Sequence, residues 1–166
     1  MVSLVTLCQK WYASCAIHSC GNVRLVRLLP AMLRRRYIGM FFLNNGKLVF
    51  VVDDDPAMLR GVARVLKQHG YDTVLFSSAE AFKNHADFEM VACIILDINL
   101  KDGSGIELRH GLKAAGIYAP VIYITANDNP AVHAAALQSG CLAYLTKPFA
   151  AHSVIEPLKR ASTGLT

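Results

Sequence analysis

The stretch that decides the fold is Lys47-Leu48-Val49-Phe50-Val51-Val52-Asp53-Asp54-Asp55-Pro56. Its first half is an unbroken apolar run, rich in β-branched and aromatic residues, and reads as a strand buried on both faces in a parallel sheet. Three acids follow without a spacer, so they stand where the strand ends and the next loop begins. In open α/β sheets that edge is where ligands bind. Two further runs end alike: Ala92-Cys93-Ile94-Ile95-Leu96 in Asp97, and Val121-Ile122-Tyr123-Ile124 in Thr125. A fourth, Cys141 to Thr146, ends in Lys147-Pro148. If these strands lie parallel, three carboxylates, a hydroxyl and an ammonium converge at one edge of the sheet. Carboxylates placed that closely repel one another unless a cation lies among them.

Between these runs the pattern turns helical. Pro56 suits a first helical turn, and Met58, Leu59, Val62, Val65 and Leu66 follow at helical spacing up to Gly70. A short strand is expected at Thr73 to Phe76, then a helix capped by Ser77 or Ser78 and running to about His85. The loop Asn99 to Ser104 leads into a helix bearing Ile106, Leu108 and Leu112, which stops near Gly116 ahead of Pro120. Asn127, Asp128 or Asn129 caps the next helix, with Pro130 in its first turn and Gly140 at its end. Ala150 to Ala161 reads as a last helix, which Pro157 should kink or restart. Five βα units with right-handed crossovers give a doubly wound, flavodoxin-like α/β fold, (βα)5, with a five-stranded parallel sheet covered by helices on both faces.

The chain has 166 residues and a formal net charge of +5, enough for one domain with an extension. The basicity is confined to residues 1–46, which hold Lys10, Arg24, Arg27, Arg34, Arg35 and Arg36 and no acid. The remainder carries eleven bases against twelve acids, so it is no nucleic-acid surface, and direct nucleic-acid binding is not expected. Five cysteines, two of them inside apolar runs, fit a reducing, cytoplasmic setting better than a disulfide framework. Cys15-Ala16-Ile17-His18-Ser19-Cys20 has metal-ligating residue types, but no second paired cluster completes a four-ligand site. The apolar stretch Tyr37 to Leu43 is too short to span a bilayer, and no signal peptide is evident. Arg24 to Arg36 lacks the sustained apolar face of a surface helix and is interrupted by Pro30. Residues 1–46 are therefore read as a disordered basic extension or as sequence upstream of a start at Met40, and residues 47–163 as the domain.

The acids call for a divalent cation. Mg²⁺ takes oxygen ligands and binds through one or two carboxylates together with phosphate oxygens. With that charge screening it, Asp97 can attack an electrophilic phosphorus and form an acyl phosphate. Lys147 can hold a phosphate oxygen as a point charge, and Thr125 can donate to another. Singly, each residue has a plainer role: a helix cap, a loop, a satisfied core hydroxyl, and for Tyr144 simple packing. Their succession at strand ends in chain order is what points to phosphoryl chemistry.

Val51-Val52-Asp53-Asp54-Asp55-Pro56, Ile95-Leu96-Asp97-Ile98-Asn99-Leu100, Ile124-Thr125-Ala126 and Tyr144-Leu145-Thr146-Lys147-Pro148-Phe149 resemble the signature of response-regulator receiver domains of two-component signalling. The resemblance covers about Lys47 to Ala161. It implies that Asp97 accepts a phosphoryl group from a phosphohistidine on a sensor histidine kinase or phosphotransfer protein. It implies that Asp53, Asp54, Asp97 and the backbone carbonyl of Asn99 arrange Mg²⁺, that Thr125 and Lys147 contact the phosphate, and that Ala126 keeps access open. It further implies a switch in which Thr125 moves and Tyr144 turns inward. That motion remodels the face of the fourth helix, fifth strand and fifth helix for a downstream effector or a phosphorylation-dependent homodimer. Such a domain signals and does not turn over substrate, beyond phosphorylating itself and slowly losing the phosphate. Lys147-Pro148 is expected to be cis.

Two departures stand out. Many relatives have proline where this chain has Lys101, for which only altered loop stiffness is expected, since Gly103 and Gly105 remain. Phe76 to Phe82 resembles receivers that precede a DNA-binding helix-turn-helix, yet only one helix is expected after Lys147. Two rival readings stay open. A haloacid-dehalogenase-type phosphatase would use Asp53 as nucleophile with Asp55, Thr125 and Lys147, but lacks later metal-binding acids and leaves Asp97 unexplained. A phosphorylation-independent binding module on the same fold would be expected to have lost part of the acid, Thr and Lys set.

Overall fold

The computed structural model describes residues 47–85, 88 and 91–162. The readings made for residues 1–46, including the basic extension and the Cys15–Cys20 string, lie outside them. Within the described residues the chain alternates strand and helix. The order is β1 (Leu48–Val52), α1 (Pro56–Gln68), β2 (Asp72–Phe76), α2 (Ala79–Lys83), β3 (Val91–Asp97), α3 (Gly105–Ala114), β4 (Val121–Thr125), α4 (Pro130–Gln138), β5 (Ala143–Thr146) and α5 (Ala151–Ser162). The five strands form one sheet in the order β2-β1-β3-β4-β5 with every pairing parallel. This is the flavodoxin-like arrangement expected from the alternation. The strand order reverses at β1 and β3, which opens a crevice at the carboxyl ends of those two strands.

Both faces of the sheet are covered, which explains why its central strands carry no polar alternation. Every residue of β1 and of β4 is buried. Phe50, Val52, Ile94, Leu96 and Tyr123 point to one side, where Phe82 of α2, Leu108 and Leu112 of α3 and Ala136 of α4 pack on them. Val49, Val51, Ile95, Ile122 and Ile124 point to the other, against Leu59, Val62 and Leu66 of α1 and Val154, Ile155 and Leu158 of α5. Burying a large aliphatic side chain in such a layer contributes about 1.5–3 kcal/mol. The apolar runs thus hold the strand ends in register, and the site inherits that rigidity.

Several boundaries differ from the sequence expectation. Asp97 closes β3 and Thr125 closes β4 as expected, whereas the following boundaries shift. β5 begins at Ala143 and leaves Cys141 ahead of the strand. α2 stops at Lys83, two residues short of His85. Its last turn tightens through the His85 amide to the Phe82 carbonyl, and the His85 ring lies 4.9 Å from Phe50 and 5.9 Å from Phe88. α5 runs through Pro157 as one element, without the expected restart. The Pro157 ring is buried beside Leu158, and that packing compensates for the missing amide hydrogen. The loop after β3 is a small hairpin in which Asn99 faces Ser104 and Leu100 faces Gly103, with Lys101 and Asp102 at its tip. No helix among the described residues is long and apolar enough to cross a membrane.

Candidate functional site

Four strands end level with one another: Val52 of β1 is beside Leu96 of β3, Asp97 of β3 beside Ile124 of β4, and Thr125 of β4 beside Thr146 of β5. Backbone pairing continues one residue further on each. Asp53 N–H donates to the Phe76 carbonyl at 3.1 Å, Ile98 N–H to Ile124 at 3.0 Å, and Lys147 N–H to Thr125 at 2.7 Å. The functional side chains therefore leave a rigid ladder and not a loose loop. The Lys147-Pro148 bond is cis, as expected.

Asp53 and Asp97 use their oxygens in the same way. One oxygen of each closes its own loop, Asp53 Oδ1 accepting from the Asp55 amide at 2.8 Å and Asp97 Oδ1 from the Asn99 amide at 2.9 Å. The other oxygen of each accepts from Lys147, at 2.7 Å for Asp53 Oδ2 and 2.6 Å for Asp97 Oδ2. One ammonium thus bridges two carboxylates that arrive from strands far apart in sequence. Burial outweighs the pull of Lys147 and raises the Asp53 carboxyl above its ordinary value. Burial also works against the charged Lys147, but hydrogen bonds to Asp53 and Asp97 prevail and raise its pKa. The two shifts have different causes: one reports the loss of water around a carboxylate, the other the gain of two carboxylates around an ammonium.

Asp54 completes the acidic group, with one oxygen from each of Asp53, Asp54 and Asp97 within 4.8 Å of the others. An all-oxygen donor set of this kind suits a hard cation such as Mg²⁺ and not a metal that prefers thiolate or imidazole. Asp54 is not bonded to Lys147. Its Oδ2 instead lies 3.1 Å from Lys101 Nζ. Asp55, next along, turns away and accepts from the Ala57 amide at 2.8 Å as the cap of α1. The second acid that a phosphatase reading requires is therefore not part of the cluster.

Thr125 is fully buried, and its hydroxyl is held from three directions. It accepts from Asn99 Nδ2 at 3.0 Å and from the Asn127 amide at 3.1 Å, and donates to the Asn127 carbonyl at 3.2 Å. Ala126 is exposed beside it. Tyr144 is half-buried, with its ring centroid 4.4 Å from that of His133 on α4. Its hydroxyl is shielded from solvent and lies beside the Asp128 carboxylate. Desolvation first, and the nearby Asp128 carboxylate second, raise the Tyr144 phenol.

The structure thus brings together Asp53, Asp54, Asp97 and Lys147 and ties Thr125 to them through Asn99. Three contributors were not read from the sequence: the Asn99 side chain, Lys101, and Asp102. Asp102 accepts from the Ala79 and Glu80 amides, both at 2.9 Å, and so anchors the hairpin tip to the start of α2. The Lys101-Asp102-Gly103 sequence was a hairpin signal that could have been read.

Comparison with known proteins agrees with this geometry. Residues 49–159 match the response regulator receiver domain family. The response regulator protein TodT of Pseudomonas putida F1 is 26% identical over 118 residues, 71% of this chain and 52% of TodT. The transcriptional regulatory protein FixJ of Rhizobium meliloti is 31% identical over 117 residues, 70% of this chain and 57% of FixJ. The chain spans about half the length of the curated relatives it matches. Among solved structures, FixJ-N superposes with a TM-score of 0.65 at 31% identity, covering 72% of this chain and 95% of that one. The BeF3-activated DrrB receiver domain gives 0.63 at 28% identity, covering 69% and 95%. With a family match over well more than half of its residues, the chain belongs to the response regulator receiver domain family.

Proposed function

We propose that this domain signals by accepting a phosphoryl group on Asp97 from the phosphohistidine of a sensor histidine kinase or phosphotransfer protein. The observation that carries the reading is the bridge of Lys147 between Asp53 and Asp97 at the carboxyl edge of the sheet. A part-buried ammonium poised on a carboxylate is already where a phosphoryl oxygen would need neutralising. An Asp97 oxygen attacks phosphorus, the new O–P bond forms as the P–N bond breaks, and the electron pair leaves on the imidazole nitrogen. Positioning and charge neutralisation supply most of what such a transfer requires. Lys147 then exchanges its Asp97 contact for a phosphate oxygen. Mg²⁺, held by Asp53, Asp54, Asp97 and the Asn99 carbonyl, would neutralise charge on the acids and on the incoming group.

Switching follows from Thr125. Its hydroxyl reaches the phosphate only by giving up the Asn99 and Asn127 contacts, so modification and the β4–α4 loop are coupled. Tyr144 then turns inward, and the face of α4, β5 and α5 is read by a downstream effector or a second copy in the cytoplasm. Incubation with acetyl phosphate and Mg²⁺ followed by intact mass tests the reading. One added phosphoryl group is expected on wild type and none on Asp97→Asn. An unmodified wild type would favour a phosphorylation-independent binding module, and sustained turnover of a phosphate ester would favour a phosphatase.

A further inference from the structure

We propose that Lys101 is a built-in counter-cation on Asp54 that a divalent ion must displace, so that this residue weakens and sets the metal affinity of the site. The inference rests on the metal reading above and deepens it. Lys147 spends its contacts on Asp53 and Asp97, and the charge of Asp54 is met instead by Lys101 at 3.1 Å. The placement of Lys101 is built into the backbone. It occupies the tip of the two-residue hairpin turn between Leu100 and Gly103. Its neighbour Asp102 is fixed by two amides at the start of α2, so the tip is anchored within reach of Asp54.

Exposure separates the two lysines. The Lys147 side chain is 16% exposed and that of Lys101 is 82% exposed. Lys147 cannot leave without stranding buried carboxylates, whereas Lys101 can swing into water at little cost. An incoming cation therefore competes with Lys101. Asp54, at 19% exposure, is screened enough from solvent for that competition to register.

The test is calorimetric titration of the full chain with Mg²⁺ alone, without any phosphodonor. Lys101→Met is expected to bind Mg²⁺ about fivefold more tightly than wild type, the upper end for an exposed pair. The gain should shrink at about 1 M salt, where the Debye length is only about 3 Å. Lys67→Met, which removes the same charge from the far end of α1, should leave affinity unchanged, and thermal melting should confirm that both variants fold. Equal or weaker Mg²⁺ binding by Lys101→Met overturns the inference. If Asp54→Asn loses Mg²⁺ binding while Lys101→Met matches wild type, the inference alone fails. If neither wild type nor Lys101→Met binds Mg²⁺, the metal reading fails with it.

Discussion

Gly105 stands directly behind Asp97, and a Cβ there would overlap the Asp97 carbonyl oxygen and sit 3.0 Å from Leu96 Cγ. No flexible side chain can yield, so the β3 end must move. Gly105→Ala is expected to cost about 1–3 kcal/mol, the range for overpacking, in urea unfolding. It should also slow phosphorylation by acetyl phosphate, since the carboxylate is displaced with its backbone. Cys93, on the opposite face of β3, has a thiol pushed up to about 12 from 9.0 by burial. The unfolded chain ionises this thiol first, so the group subtracts stability as pH climbs from 9 toward 12. Iodoacetamide at neutral pH should leave Cys93 unlabelled in the native protein and label it in urea, as peptide mass mapping would show. At this scale the sequence was most readable where a residue ends a strand. Asp53, Asp97, Thr125 and Lys147 are placed by sheet register, and register follows from apolar runs. Lys101 and the Asn99 amide were not readable, because their contacts depend on where a hairpin tip points.

Helix α2 shows how an element can depend on a distant residue. It is five residues long, and Ser78 and Asp102 together bond the amides of Ala79, Glu80 and Ala81. The Ala79 and Glu80 amides, which donate to Asp102, hold its carboxyl below its ordinary value. A depressed carboxyl stabilises the fold above the unfolded pKa of 3.8, and that contribution is lost as pH falls through the folded value. Hydrogen exchange should accordingly show the Ala79 and Glu80 amides losing protection in Asp102→Ala near neutral pH, while the β1 amides stay protected. Ser78 was legible as a cap because it is local, whereas Asp102 acts across 23 residues. Helix α5 offers the converse case. Local propensity argued for a break at Pro157, and burial of the apolar face kept one helix. An interior helical proline costs about 3 kcal/mol. Pro157→Ala forfeits two buried methylenes at about 0.8 kcal/mol each, and some restriction of the unfolded chain. The helical gain wins narrowly, and thermal unfolding should show a melting temperature a few degrees above wild type.

On the scale of the whole molecule, fold class was legible because the alternation of apolar runs and helical periods repeats five times, and the parallel sheet admits few alternatives. Family membership was legible because the same repetition lines up the motif residues at strand ends. The bridging ammonium has a further consequence, in time. Lys147 meets Asp97 across 50 residues and Asp53 across 94. A chain synthesised from its amino end acquires β1, β2 and β3, with their crowded acids, long before it acquires the ammonium that reconciles them. Until β5 docks, closing the sheet concentrates negative charge in a desolvated crevice. A fragment ending at Gly140 should therefore show neither cooperative urea unfolding nor protected β1 amides, whereas the full chain shows both. Docking of the last strand would then bring the neutralising ammonium with it, so that a nascent or truncated chain does not present a half-built acidic crevice.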